Sequence, residues 1–173
     1  CQSINRHIKV CCFTQDNIKI KHFPKSNNMY FTDRTGRGFA LPRMWAQYAA
    51  NNKGVCLIFN KSLLLTEIDK SFQIIKADSI TYVERYKCFK VTPKAISDFK
   101  NQVLSRSTDD SIAASKFFST YPDYIVQNYF TKLSDWRDEH EYRIALFSSD
   151  GENLTLHNLD HYLEGIIMGE NID

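Results

Sequence analysis

The stretch Glu141-Tyr142-Arg143-Ile144-Ala145-Leu146-Phe147 shows a clear strand pattern within a chain of 173 residues. Successive side chains of a β-strand point to opposite faces, so every second residue shares a face. If the strand begins at Glu141, then Glu141 and Arg143 lie on one face and Tyr142 lies on the other. The stretch therefore predicts a strand that carries a carboxylate and a guanidinium side by side near its start.

The residues just before this strand form an unusual charged stretch, which reads Trp136-Arg137-Asp138-Glu139-His140. Carboxylates held in a cleft at the start of a strand can polarise a hydroxyl group or stabilise a developing cation. Glu139 and Glu141 are therefore candidate catalytic residues, and Trp136 and Arg143 are candidate ligand contacts. The alternative is that these charges form solvated ion pairs, which contribute little to stability.

A second notable group lies in the helix that the sequence predicts from Pro42, a residue suited to a first helical position. Trp45 and Tyr48 are three residues apart, so they lie on the same side of this helix. They could stack against a base or a nicotinamide ring, or they could simply belong to the hydrophobic core. Gly54 is expected to end the helix in a left-handed conformation, and a short apolar strand is predicted at residues 55–59.

The remaining elements follow from apolar periodicity and from the positions of proline. Further strands are predicted at residues 7–13, 29–31, 72–75, 79–83, 154–156 and 165–168. Helices are predicted from Thr92-Pro93, over residues 111–118, from Pro122 towards Lys132 and over residues 159–163. Because strands and helices alternate without a regular β-α-β rhythm, the sequence predicts one α+β domain over residues 1–173, with a mixed or antiparallel sheet and several helices.

The composition excludes several classes of protein. Hydrophobic residues make up 43% of the chain and charged residues 24%, which is typical of a globular domain. The formal net charge of +2 is unlike the strong basic excess of a dedicated nucleic-acid binder. No apolar run approaches the roughly 20 residues that span a bilayer, and the five cysteines include no Cys-x-x-Cys pair. The sequence therefore predicts a cytoplasmic protein with no membrane partner.

Patterns that would bind a metal ion are weak. His157 and His161 are four residues apart, but no third ligand is evident, so we expect no metal. The acidic pairs Asp109-Asp110 and Asp135/Asp138 could hold Mg²⁺ in a nuclease, a minor alternative. The same pairs also suit helix caps and turns.

Several sequence blocks together resemble a known family. Residues 43–49 read Arg-Met-Trp-Ala-Gln-Tyr-Ala, and residues 54–57 read Gly-Val-Cys-Leu before Phe59. A later pattern, Lys-x-x-x-Trp-x-x-Glu-x-Glu-Tyr-Arg, is met by Lys132, Trp136, Glu139, Glu141, Tyr142 and Arg143. With Cys12-Phe13-Thr14 and Ile166-Ile167-Met168-Gly169, these blocks resemble an uncharacterised bacterial family, domain of unknown function 2971, over residues 8–169.

The layout is also similar to small bacterial ADP-ribosyltransferase-like toxins, which implies an enzyme that transfers ADP-ribose from NAD or hydrolyses NAD, in phage defence or in a toxin system. By this resemblance Glu141 would bind the nicotinamide ribose 2′-hydroxyl and stabilise an oxocarbenium-like transition state. Glu139 would orient the acceptor. Trp45 or Tyr48 would stack on nicotinamide, and Arg143 would hold a phosphate. The acceptor, a protein or a nucleic acid, stays open, as does the choice between transfer and hydrolysis.

A non-catalytic sensor or interaction domain is the alternative from a different class. In that case Trp45, Tyr48 and Trp136 belong to the core. The charged residues then form a buried ion-pair network, made of Glu139, Glu141, Arg137 and Arg143.

One departure from the resembled family concerns the start of the chain. Family members usually begin with a segment that carries a Phe-Asn-Asp-Pro type motif, and no such motif precedes Cys12. The resemblance therefore implies that the chain lacks an N-terminal segment of the full family domain.

Overall fold

The structure is a computed structural model, and it describes residues 2–16, 36–86, 92–102 and 110–172. The helices are α1 (Gln2–Asn5), α2 (Pro42–Tyr48), α3 (Lys61–Ser71), α4 (Pro93–Gln102), α5 (Asp110–Thr120) and α6 (Pro122–Tyr129). The strands are β1 (Ile8–Thr14), β2 (Val55–Phe59), β3 (Gln73–Ser79), β4 (Thr81–Val83), β5 (Thr131–Leu133), β6 (Glu141–Phe147) and β7 (Leu163–Met168). Short 3-10 helices occupy Gly38–Ala40, Ser134–Glu139 and Leu159–His161.

Strand β6 is the central strand of a three-stranded antiparallel sheet with the order β1-β6-β3. Along β1, Ile8 lies opposite Phe147 and Thr14 lies opposite Glu141. Strands β2 and β7 form an antiparallel pair, and β4 and β5 form a parallel pair. The predicted α+β class is therefore confirmed, and of the two predicted sheet types the three-stranded sheet is antiparallel.

The two faces of β6 contribute to two hydrophobic clusters, because the strand alternates as its sequence predicts. Ala145 and Phe147 pack with the helical cluster, whose large side chains come mainly from α4, α5 and α6. Tyr142, Ile144 and Leu146 pack on the opposite face, against α3 and Tyr162. Because both faces are covered, β6 is buried along most of its length, and Arg143 is its one half-buried residue.

The helical cluster depends on a break at Pro122, which the sequence predicts. Helix α5 ends at Thr120 and α6 begins at Pro122, whose fixed φ suits a first helical position. The prediction that this helix continues towards Lys132 is wrong, because α6 ends at Tyr129 and Lys132 lies in β5. This correction matters for the site, since the parallel pairing of β5 with β4 fixes the position of Lys132.

Three further predictions about secondary structure need correction, and one helix has no counterpart among the predictions. Helix α3 was not predicted, although Asn60 caps it by accepting a hydrogen bond from the Leu63 amide at 3.1 Å. Residues 154–156 form no strand; Leu154 and Leu156 instead pack as half-buried side chains against the cluster behind β6. The helix predicted over residues 159–163 is only a 3-10 turn, and the strand predicted over residues 72–75 extends to Ser79 as β3. The strand predicted at residues 29–31 lies outside the described residues.

The chain leaves α2 by an unusual route. Ala50, Asn51 and Asn52 all have a positive φ, between 46° and 67°, whereas Gly54 does not adopt the predicted left-handed conformation. Asn52 tolerates this region better than most residues because its short polar side chain forms local hydrogen bonds. These left-handed residues reverse the chain and bring the Asn52 carbonyl next to the end of β7. There the carbonyl accepts a hydrogen bond from the Asn171 amide at 2.9 Å.

Among the described residues, no helix combines the length and the apolar character that a membrane span requires.

Candidate functional site

The side chains of Glu141 and Arg143 form a bidentate ion pair on one face of β6. Arg143 Nε donates to Glu141 Oε1 at 2.6 Å, and Nη2 donates to Oε2 at 3.0 Å. The pair forms because two residues that are two apart on a strand share a face. Arg143 Nη1 donates to the Tyr129 carbonyl at 2.7 Å, so three hydrogen bonds to two partners hold the guanidinium. The predicted position of Glu141 at the start of the strand and its shared face with Arg143 are both present.

Lys132 joins the second carboxylate to this pair. Its ammonium lies 2.5 Å from Glu139 Oε2 and 3.3 Å from Glu141 Oε2. Glu139 is only 2% exposed and Glu141 only 6%, so both carboxylates lie away from bulk water. We call Lys132, Glu139, Glu141 and Arg143 the ion-pair cluster. Its two positive and two negative charges balance, which is the condition for burying charges at a tolerable cost.

Backbone geometry places the two glutamates side by side. The 3-10 helix Ser134–Glu139 ends at His140, which has a φ of 45° and turns the chain directly into β6. Thr14 Oγ1 donates to the Glu139 carbonyl at 2.7 Å, and the Glu141 amide donates to Tyr82 Oη at 3.0 Å. These contacts fix both glutamates from the neighbouring strands β1 and β4.

Tyr48 connects helix α2 to the cluster. Its hydroxyl lies 3.4 Å from Glu139 Oε1, although the tyrosine is 64% exposed. A largely exposed tyrosine therefore contacts one of the two buried carboxylates. The two sequence blocks that contain Tyr48 and Glu139 are separated by about ninety residues, and the fold brings them into contact.

The ring of Trp136 lies beside the ion-pair cluster and contacts two cationic side chains. The Lys132 ammonium is 4.7 Å from the centre of the Trp136 ring system, and the Arg43 guanidinium is 4.5 Å from it. Both distances lie within the range of a cation–π interaction. In this structure the aromatic face of Trp136 is therefore occupied by side chains of the chain itself.

Trp45 has a different environment from Tyr48. Its indole Nε1 donates to the Phe39 carbonyl at 2.6 Å, and its ring lines a separate cavity of about 990 Å³ along β7. None of the four residues of the ion-pair cluster lines that cavity. Tyr48 thus lies next to Glu139, whereas Trp45 lies at the cavity along β7.

The contacts of the ion-pair cluster shift the pKa values of Glu141, Lys132 and the adjacent Cys12. Burial alone would raise the pKa of Glu141, but hydrogen bonds from Arg143 and Cys12 and the nearby positive charges lower it below its usual value of 4.5. Burial would lower the pKa of Lys132, but its bonds to Glu139 and Glu141 raise it above 10.5. Burial, together with the hydrogen bond to Glu141, raises the pKa of the Cys12 thiol to about 11. The carboxylate of Glu141 and the ammonium of Lys132 are therefore charged at neutral pH, and the thiol is protonated.

These shifts predict how the stability depends on pH. The lowered pKa of Glu141 stabilises the fold fully above about pH 4.5, and this contribution is lost as the pH falls through the lowered native value. The raised pKa of Lys132 stabilises the fold below about pH 10.5, and this contribution is lost as the pH rises through the raised value. The raised pKa of the Cys12 thiol lowers stability from about pH 9, its usual value, because the unfolded chain loses that proton first. We expect urea titrations to show a plateau from about pH 4.5 to about pH 9, with a shallower acid decline in Glu141→Gln than in the wild type. An equally steep acid decline in both proteins would contradict the assignment.

Sequence reasoning missed part of this site. The sequence points to Lys132 only as part of a family pattern. The residues around Lys132 do not indicate that a short parallel strand places its ammonium between two carboxylates. Arg137, expected in a buried network, is exposed, and Lys132 takes the place expected for it. Cys12 was predicted on a strand, and its register directly opposite Arg143 explains its contact with Glu141.

The histidine pair considered for metal binding has other contacts. His161 lies 3.7 Å from Asp160, and the His157 carbonyl accepts a hydrogen bond from Tyr162 at 2.9 Å. Within the described part of the chain, no group of three or more His, Cys, Asp or Glu residues has the arrangement of a metal site. Asp135 and Asp138 are both exposed, and Asp109 lies outside the described residues.

The structure thus defines an α+β protein whose motif residues meet in a buried ion-pair cluster under an exposed tyrosine. Comparison with family models matches residues 44–144 to the family described as protein of unknown function DUF2971. The chain belongs to this family, as its sequence blocks predict. Searches of curated proteins and of solved structures found no match.

Proposed function

We propose that this protein is an enzyme that breaks the N-glycosidic bond between nicotinamide and ribose in NAD, either transferring ADP-ribose or hydrolysing NAD. The supporting observation is that Tyr48, from one sequence block, meets the Glu139 and Glu141 pair, from another, where the carboxylates are buried and the tyrosine is exposed. Paired carboxylates are the usual means of cleaving glycosidic bonds.

In the proposed reaction the bond between ribose C1′ and the nicotinamide nitrogen breaks, and its electron pair leaves with neutral nicotinamide. The positive charge that develops on the ribose ring is stabilised by Glu141, whose lowered pKa keeps it ionised. Water or an acceptor hydroxyl then bonds to C1′ and loses its proton to solvent or to Glu139. Tyr48 stacks on the nicotinamide ring from the exposed side of the site.

The existing contacts of Glu141 restrict how NAD can bind. A carboxylate has about four lone-pair sites, and Arg143 fills two of them while Lys132 and Cys12 supply one donor each. A ribose hydroxyl must therefore displace a donor, and the Cys12 thiol is the weakest of the four. Because Arg143 also holds the Tyr129 carbonyl, in this proposal it positions Glu141 and does not bind phosphate.

The complete set of hydrogen-bond donors around Glu141 also supports a second candidate, a non-catalytic binding domain. If no ligand displaces a donor from Glu141, the ion-pair cluster only holds β5 and β6 together. In that case Glu141→Gln lowers the melting temperature and alters no activity.

We expect Glu141→Gln to lower NAD turnover by about 10²- to 10³-fold, the usual effect of removing a group that stabilises transition-state charge. The assay is release of nicotinamide from NAD by the full chain, with calorimetric titration of NAD as the binding measurement. Glu84→Gln is the matched control, because Glu84 is exposed.

A second variant separates activity from stability, because loss of the Glu141 charge also affects the fold. Tyr48→Ala removes an exposed ring and is expected to leave the melting temperature unchanged. It should weaken NAD binding by about 5- to 150-fold, since stacking on an aromatic ring contributes roughly 1–3 kcal/mol. Unchanged NAD binding in Tyr48→Ala, or no NAD binding by the wild type, would exclude the enzyme and favour the binding domain.

A further inference from the structure

We propose that the outer edge of β7 is a docking groove for an extended polypeptide segment that carries basic side chains at both ends. The groove is the cavity of about 990 Å³ described above, and we call it the β7 groove. Its lining includes the run from Glu164 to Glu170, together with Phe39, Pro42, Trp45, Asn52 and Ile58. Five consecutive lining residues belong to β7, which indicates a groove that follows the strand.

The main chain of β7 offers hydrogen bonds along this groove. Among the described residues, β7 pairs only with β2, so its other edge carries no strand. The Gly169 amide donates to the Gly54 carbonyl, which fixes the alternation of the antiparallel pair. Gly165 and Ile167 therefore bond towards β2, whereas Ile166 and Met168 direct their amide and carbonyl groups towards the open edge. An unpaired edge of this kind is a template for strand addition.

Two glycines of this region differ in a way that points to an approaching partner. A Cβ atom on Gly169 would overlap the Asn52 carbonyl, so the fold itself requires glycine there. A Cβ atom on Gly165 would contact only Ile58, at an ordinary van der Waals distance of 3.7 Å. The fold therefore does not require glycine at position 165. A glycine inside a strand costs stability, and it often marks a place where another backbone approaches closely. Gly165 lines the β7 groove.

The side chains along the groove define the chemistry of the partner. Glu164 is exposed near the start of β7, and Glu170 is exposed just beyond the end of the strand at Met168. Between them, Ile166 is 57% exposed and Met168 is 69% exposed. This pattern complements a strand of about seven residues with cationic ends and an apolar centre. None of Tyr48, Glu139 and Glu141, which carry the proposed activity, lines the groove.

The test uses a capped synthetic peptide, Lys-Val-Thr-Val-Thr-Val-Lys, and amide hydrogen exchange of the full chain measured by NMR. At saturating peptide the amides of Ile166 and Met168 should exchange about tenfold more slowly, while those of Gly165 and Ile167 should not change. The control peptide carries Glu in place of both Lys residues and should produce no protection. Gly165→Val fills the groove and should abolish the protection with no loss of melting temperature.

Three results would overturn the proposal. The first is no protection of Ile166 and Met168 at millimolar peptide, and the second is equal protection by the acidic control peptide. The third is protection of the same amides by NAD but not by the basic peptide, which would make the groove a nucleotide site. Because the readout is exchange at β7, failure here leaves the nicotinamide-release assay, and therefore the proposed function, unaffected.

Discussion

Arg143→Met is expected to lower the free energy of unfolding by about 3–5 kcal/mol, because it leaves the Glu141 carboxylate buried without its bidentate partner. Glu141 is 6% exposed, and both of its oxygens accept from Arg143 at 2.6 and 3.0 Å. Lys132 remains near Glu141, but its shorter contact is with Glu139. The measurement is urea denaturation at pH 7, in the plateau described above.

The double variant Glu141→Met/Arg143→Met separates the charge effect from the loss of packing. Replacing both members of a buried ion pair by apolar side chains is often neutral or stabilising. We therefore expect the double variant to recover most of the stability that Arg143→Met loses, while Lys132 keeps Glu139 as its partner. A change below about 0.5 kcal/mol in Arg143→Met, the range of ordinary surface substitutions, would show that water solvates the pair.

Phe117→Ala is expected to destabilise the protein by a similar amount, about 3–5 kcal/mol, for an unrelated reason. The Phe117 ring is 1% exposed and lies at the centre of the helical cluster. Its ring centre is 5.1 Å from that of Phe99, 5.2 Å from that of Phe118 and 4.9 Å from that of Tyr121. Removal leaves a cavity between α4 and α5, which the rigid neighbouring rings fill only in part.

The matched control lies on the same helix. Ile112 of α5 is 66% exposed, so Ile112→Ala should change the free energy of unfolding by less than about 0.5 kcal/mol. Both variants can be measured by thermal and urea denaturation. Equal effects at positions 112 and 117 would contradict the assignment of α5 to the core with its Phe117 face inward.

Local patterns in the sequence predicted the elements on which the site is built. The alternation from Glu141 to Phe147 predicted β6 and the shared face of Glu141 and Arg143. Pro42 and Pro122 predicted the first turns of α2 and α6, because proline presets φ and lacks the amide that a first turn leaves unbonded. These features depend on a few neighbouring residues, and the structure contains them.

Features that depend on distant partners were not predictable in the same way. Lys132 reaches Glu139 only because β5 pairs in parallel with β4, and a three-residue strand has almost no periodic signal. Trp45 and Tyr48 share a side of α2, yet one lines the β7 groove and the other contacts Glu139. Helix periodicity places two residues on one side, but only the surrounding strands decide what each residue meets.

The pairing of β1 with β6 also has a consequence for the order in which the protein forms. These strands bring residues 8–14 against residues 141–147, so the central sheet closes a loop of more than one hundred residues. Contacts between such distant segments form slowly, because the chain must lose loop entropy before they contribute stability. During synthesis the ion-pair cluster cannot assemble until β6 has left the ribosome. The site therefore takes its final form only when the chain has been made at least as far as Phe147.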